Sequence, residues 1–317
     1  MSDSQSFAAL LGEVATFAAA SVRMAAPLLI AGLGESISET AGILNIGLEG
    51  IMLSGAFAAF IVAWATQSVW LGILAGIAGG MLASLLHALF GVGRRADQTI
   101  SGLALNFLAS GLTSYFFLMA FGRTTSLPEC PVLPAVEIPL LSSIPFFGPV
   151  LFSQNPFVYF AFVATGLVWL LFRRSEWGVI LHAAGENPHA ADSAGLDVIR
   201  TRYVAAAANG CFGGLAGASI TLGTLGFFME NVTSGKGYIA LVVVILGRRQ
   251  PFGVALAALL LGAADALQFR MQTGNSGIPS QAFIMFPYVM TVIVLLFSIG
   301  KTRDPASLGI PFDRGRR

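Results

Sequence analysis

Charged side chains are scarce: Asp, Glu, Lys and Arg make up only 10% of the 317 residues, where a soluble domain carries roughly 25%. A chain this poor in charge lacks the polar surface to stay in solution. Cysteine is rarer still. Cys130 and Cys211 stand in unrelated contexts, which suggests neither a disulfide framework nor a cysteine metal site. The three histidines, His87, His182 and His189, are scattered, and no His/Cys/Asp/Glu cluster has zinc-ligand spacing. The lack of clustered acid, base or metal-ligating residues counts against a membrane-embedded enzyme. A net charge of +1 gives no reason to expect nucleic acid as a partner. Met1 to Ser6 hold no Lys or Arg, and the first cation is Arg23. No secretory signal is expected, and the chain is expected to start directly with its first membrane segment.

Apolar residues make up 56% of the chain. At about 20 apolar residues per span this supports roughly nine membrane segments, and lipid is the expected surrounding. Apolar runs fall at residues 14–34, 42–66, 69–92, 99–122, 156–172, 203–225, 232–247, 251–270 and 281–299. The fold class is all-α and polytopic. Two segments are irregular. The second opens with the polar run Gly42-Ile-Leu-Asn45-Ile-Gly47-Leu-Glu49-Gly50, and the seventh is a short apolar stretch preceded by Ser234-Gly235-Lys236-Gly237. Interrupted segments of this kind are where transporters place broken helices and solute sites; the plainer reading is a glycine-rich helix contact.

Residues 1–317 read as one transmembrane domain with three connecting features. These are an outer loop at 123–155 with six prolines, a cytoplasmic loop at 173–202, and a basic cytoplasmic tail at 300–317. If nine segments cross in turn, 13 of the 17 cations fall on one side. Lys and Arg collect in the cytoplasm, so the C-terminus is expected inside and the N-terminus outside. The outer loop is expected to lie on the surface as an interfacial ledge or to pack as a plain loop.

Polar residues inside apolar segments cost free energy and must face protein or water. Asp265, Gln268 and Gln272 share one helical face, as do Asn106, Ser110 and Thr113, while Asn45 and Glu49 lie one turn apart. Asn45, Glu49, Asn106, Ser110, Asp265 and Gln268 are the candidate path for a small polar solute. The competing reading is interhelical hydrogen bonding, worth about 0.6 kcal/mol each. Ser234-Gly-Lys236-Gly lacks the spacing of a phosphate loop. Gly72/Gly76/Gly80 and Gly210/Gly214 read as helix-packing faces. Arg23 is expected to snorkel or to pair with Glu13. In the cytoplasmic loop, Asn187 suits an N-cap, Pro188 the first helical position and Gly195 the C-terminal stop. A helix of about seven residues has little reason to form alone, so it is expected to dock into another protein.

Several of these stretches resemble one family: Gly42 to Gly50, Gly185-Glu186-Asn187-Pro188 with Asp192 and Gly195, and Gly237-Tyr-Ile-Ala240 leading to Gly247-Arg-Arg-Gln-Pro251. Ala263-Ala-Asp265-Ala-Leu-Gln268 and Gly277-Ile-Pro-Ser-Gln281 join them. The order is similar to that of the permease subunit of bacterial ABC importers for nucleosides and simple sugars, a superfamily that includes the branched-chain amino acid and ribose permeases. The resemblance implies the architecture of a type II importer permease, without an ATPase motif or cofactor of its own. It implies a location in the bacterial inner membrane and a second permease subunit, identical or homologous. It also implies an extracytoplasmic substrate-binding protein and a partner ATPase that holds ATP and Mg. Glu186, Asn187, Pro188, His189, Asp192 and Gly195 would then form the coupling helix seated on that ATPase. Two positions depart from the pattern: Glu39-Thr40 replaces the usual Glu-Arg, and Arg249 stands where an aromatic commonly follows Gly-Arg. A simple-sugar importer and an ion-coupled secondary transporter remain the alternative functions.

Overall fold

In lipid every backbone donor and acceptor must be satisfied within the protein, which leaves the helix as the form open to long apolar runs. The computed structural model describes residues 2–122, 127–273, 280–298 and 304–315. Four helices make up the first half: α1 (Ser2–Thr40), α2 (Leu48–Thr66), α3 (Val69–Ala88, continued by a π turn to Gly93) and α4 (Gln98–Phe121). After a long connection follow α5 (Pro156–Arg174), α6 (Glu176–Glu186), α7 (Pro188–Ser193) and α8 (Val198–Ile220, continued by a π turn to Leu225). The last four are α9 (Lys236–Leu246), α10 (Pro251–Thr273), α11 (Ser280–Ile284) and α12 (Phe286–Ser298).

Each of the nine expected segments falls on a helix, but among the described residues only seven helices are long and apolar enough to cross a membrane. The other two are shorter, Lys236–Leu246 and Gln281–Leu296. An 11-residue helix such as α9 rises about 16 Å, roughly half of a 30 Å hydrocarbon core. The Gly277–Gln281 motif lies largely outside the described residues, as do Arg123, Lys301, Arg303, Arg316 and Arg317.

Small residues set the packing. A side-chain carbon added at Gly80 would stand 2.4 Å from Gly214 Cα, and one at Gly55 would stand equally close to the same atom. The glycine faces therefore bring α2, α3 and α8 into backbone contact. The main core runs through α1, α2, α5, α8, α9 and α10, with Leu28, Leu33, Met52, Phe60, Ala216 and Val243 fully buried.

The described part of the connection between α4 and α5, residues 127–155, is tied to the bundle at a few points and leaves Leu140, Phe147 and Leu151 exposed. Its strands β1 (Val136–Glu137) and β2 (Ser153–Gln154) pair antiparallel, and its backbone bonds to the end of α8 through Cys130 N–H to Gly226 O and Leu133 N–H to Leu222 O. The basic connections gather at the opposite end of the bundle, where Arg95 meets Asp313, Arg249 meets Asp304 and Arg314 meets Asp192. Glu13 pairs with Arg270 at 2.7 Å, which corrects the expected Arg23–Glu13 pair. The reason is register: Arg23 lies nearly three turns further along α1 and points into a cavity.

Candidate functional site

Where α1 stops, the seven residues 41–47 cross without helix, so their backbone donors and acceptors need side-chain partners. Gly42 makes the turn with φ +86°. Glu35, fully buried, accepts from Asn45 N–H at 3.2 Å and from Asn209 Nδ2 at 2.6 Å. Asn45 Oδ1 accepts from Gly47 N–H at 3.0 Å. Asn106 accepts from Gly50 N–H at 2.7 Å and donates to Ile46 O and to Tyr238 Oη.

Glu49 serves a second break. The chain descends from α8 without helix over 226–235 and restarts as α9. The Glu49 carboxylate accepts from Thr233 Oγ1 at 2.6 Å, Gly235 N–H at 2.8 Å and Gly237 N–H at 2.7 Å. A carboxylate placed there satisfies orphan donors and matches the positive end of the helix dipole. Gly237 leaves room for it, since an added side-chain carbon would lie 2.5 Å from the Glu49 backbone.

Beside this stitch, α1, α8, α9, α10 and α12 enclose a cavity of about 400 Å³, within the range of small-molecule sites. Asp265, Gln268 and Gln272 form its polar wall, with Arg23, Lys236, Ser234 and Tyr288 opposite, and Met24, Pro27 and Ile239 supply apolar surface. Lys236 Nζ donates to Asp265 Oδ2 at 2.5 Å, the two side chains being 21% and 6% exposed. Tyr288 Oη donates to Ser234 O at 2.6 Å.

The expected solute-facing residues thus separate. Asp265 and Gln268 line the cavity together. Asn45, Glu49 and Asn106 are drawn instead into the junction of the two helix breaks, because free backbone groups there claim their oxygens and amides. Ser110 sits apart on α4, donating to Asn231 Oδ1 at 3.4 Å. The residues missed from sequence are Arg23, Lys236, Tyr288 and Glu35. An isolated Lys inside an apolar segment was the available signal, since such a charge needs a partner.

The short capped helix forms at the expected place. Asn187 Oδ1 accepts from Ala190 N–H at 3.0 Å, Pro188 opens α7, and Gly195 turns out of it with φ +89°. Asn187, His189 and Gly195 are exposed, while Ala191 is buried. Asp192 is paired with Arg314 at 2.9 Å. Glu186 Oε2 accepts from Ala306 N–H.

Residues 17–295 match the family described as the branched-chain amino acid transport system/permease component. The chain belongs to this family. The permease is 34% identical to the guanosine ABC transporter permease protein NupQ of Bacillus subtilis, over 92% of this chain and 95% of that one. It is 35% identical to the nucleoside ABC transporter permease protein NupC of Lactococcus lactis, over 92% and 94%. It is also 34% identical to TsgC13 of Haloferax volcanii, provisionally described as a glucose ABC transporter permease protein, over 92% and 94%. Its fold is similar to that of an inward-facing ABC transporter of metal-chelate type, with TM-score 0.52 and 13% identity over 89% of this chain and 85% of that one.

In this permease the two departures from the family pattern meet in space. The Arg249 guanidinium donates to Glu39 across the C-terminal ends of α1 and α9, and it also reaches Asp304 at 2.9 Å. Threonine at position 40 leaves Glu39 without an arginine neighbour in sequence, and Arg249 supplies one from another helix.

Proposed function

We propose that this permease carries nucleosides inward as the membrane-spanning subunit of an ATP-driven importer, with the α1–α8–α10–α12 cavity on its path. The cavity is the observation that carries the reading. It pairs a carboxylate and an ammonium with carboxamide, hydroxyl and apolar surface, a lining that suits a neutral solute with both a flat base and a hydroxylated sugar. Relatives named for guanosine and nucleosides at 34% and 35% identity support it. The basic end lies in the cytoplasm, following the distribution of Lys and Arg, and Glu186 to Gly195 seat a partner ATPase that binds ATP and Mg. A second permease subunit and an extracytoplasmic binding protein complete the assembly, and the chain performs no chemistry of its own.

The test is uptake by the reconstituted complex in proteoliposomes, with guanosine, uridine and glucose as probes. ATP-dependent accumulation of a nucleoside with glucose excluded is the expected result. Glucose uptake alone would assign the sugar reading, which the relative TsgC13 favours. Uptake without ATP or an ATPase would sink the importer reading in favour of an ion-coupled transporter.

A further inference from the structure

The segment 304–315 runs back across the basic end of the bundle and is anchored residue by residue. Asp304 takes Arg249. Ser307 donates its N–H to Gly185 O at 2.9 Å, and its hydroxyl accepts from Arg202 Nη2 at 3.1 Å. Gly309 N–H donates to Gly42 O at 3.1 Å, and Ile310 O accepts from Arg202 Nη1 at 2.9 Å. Phe312 is buried among Ala184, Ala191 and Val198, with its ring 5.1 Å from that of His189. Asp313 and Arg314 close the segment on Arg95 and Asp192.

Arg202 is the hub. It is fully buried, and its third donor, Nε, reaches Ala41 O at 3.2 Å, at the negative end of α1. Its partners are all neutral oxygens. The tail supplies two of the three acceptors that Arg202 finds among the described residues, so the tail belongs to the packed structure. The tail touches α7 at one end and Gly42 in the middle. Gly42 lies in the break at 41–47 that leads into α2, and Glu49 in the first turn of α2 holds the start of α9 and thus Lys236 at the cavity.

We propose that residues 304–315 act as a strap that transmits movement of α7 to the break at 41–47, so that ATPase closure is felt at the cavity through the tail as well as through α6 and α8. This inference rests on the importer reading above. A chain of contacts becomes a coupling pathway only when perturbing it changes coupling, so the residues at the α7 end are positioning residues to be tested as such.

The experiment uses the full complex in proteoliposomes and measures solute uptake per ATP hydrolysed, with guanosine, uridine and glucose as probes. Arg314→Asp is expected to co-purify with the ATPase and retain basal hydrolysis, while uptake per ATP falls about fivefold. Arg314→Lys keeps a cation opposite Asp192 and is expected to keep the ratio near wild type. Phe312→Ala, which leaves that ion pair intact, is expected to lower it. A wild-type ratio in Arg314→Asp, or an Arg314→Lys ratio no better than that of Arg314→Asp, overturns the strap. A wild-type complex without ATP-dependent uptake overturns the importer reading itself.

Discussion

Lys236 and Asp265 form a largely buried ion pair on the wall of the cavity. Asp265 is 6% exposed at the side chain, and removing one partner of a buried pair costs about 3 kcal/mol or more because the other charge stays behind uncompensated. Lys236→Met is therefore expected to lower the thermal midpoint in detergent, and the double variant Lys236→Met/Asp265→Leu to recover most of it. Uptake should stay low in both. A double variant with full uptake would remove the pair from the solute path. Cys130 gives a reactivity prediction outside the helices. Burial pushes its thiol up to about 11, so at pH 7 the thiolate fraction is on the order of one in ten thousand. Maleimide should leave Cys130 unmodified in the folded protein at pH 7 and label it after denaturation. Rapid labelling of the native protein would contradict its burial.

Among the elements, α7 depends most on its surroundings. Six residues make a helix too short to persist alone; its cap at Asn187 and the burial of Ala191 hold it. Ala191 N–H donates to Asn187 O at 3.0 Å, so Ala191→Pro removes that bond and adds a ring to a buried position, a change costing about 3 kcal/mol in a helix interior. Solute-stimulated ATP hydrolysis by the reconstituted complex is expected to fall, with binding of the loaded receptor at the outer face retained. Normal stimulation would reduce α7 to a connector. The glycine contacts are the opposite case, fixed by sterics alone. Gly80→Val would force a side chain into Gly214 on α8, and overpacking of this kind costs about 1–3 kcal/mol. Loss of the monodisperse peak in size-exclusion chromatography is the expected outcome, and an unperturbed profile would mean α3 and α8 can separate.

For the whole molecule, sidedness is the property to measure. Ser193 at the end of α7 and Ser143 in the α4–α5 loop are exposed at opposite ends of the bundle. In a background without native cysteines, Ser193→Cys should react with an impermeant maleimide from the cytoplasm and Ser143→Cys from outside. Reaction of both from one face would reject alternate crossing. Ser307 would be a poor reporter for the same purpose, because the tail folds inward and buries it.

Hydropathy and the spacing of Gly, Asn and Pro were enough to place the helices, both breaks and the capped α7, since each depends on neighbours within a few residues: a run long enough to span, a cap three positions from its donor, a glycine where φ turns positive. Nine apolar segments were legible for this reason, but only seven of the described helices are long enough to cross a membrane; α9 is about half a span, and Glu49, not more helix, completes its N-terminal end. Which polar groups line the cavity was not legible. Asn106 and Asp265 look alike in sequence, each a polar residue in an apolar run, yet one is claimed by Gly50 and Ile46 from α2's entry and the other opens on the cavity beside Lys236. The same holds for the tail, which its composition marked only as basic. Arg202, Gly42 and Asp192 lie more than a hundred residues away along the chain, and they draw it in because buried donors and charges must find partners wherever folding brings them.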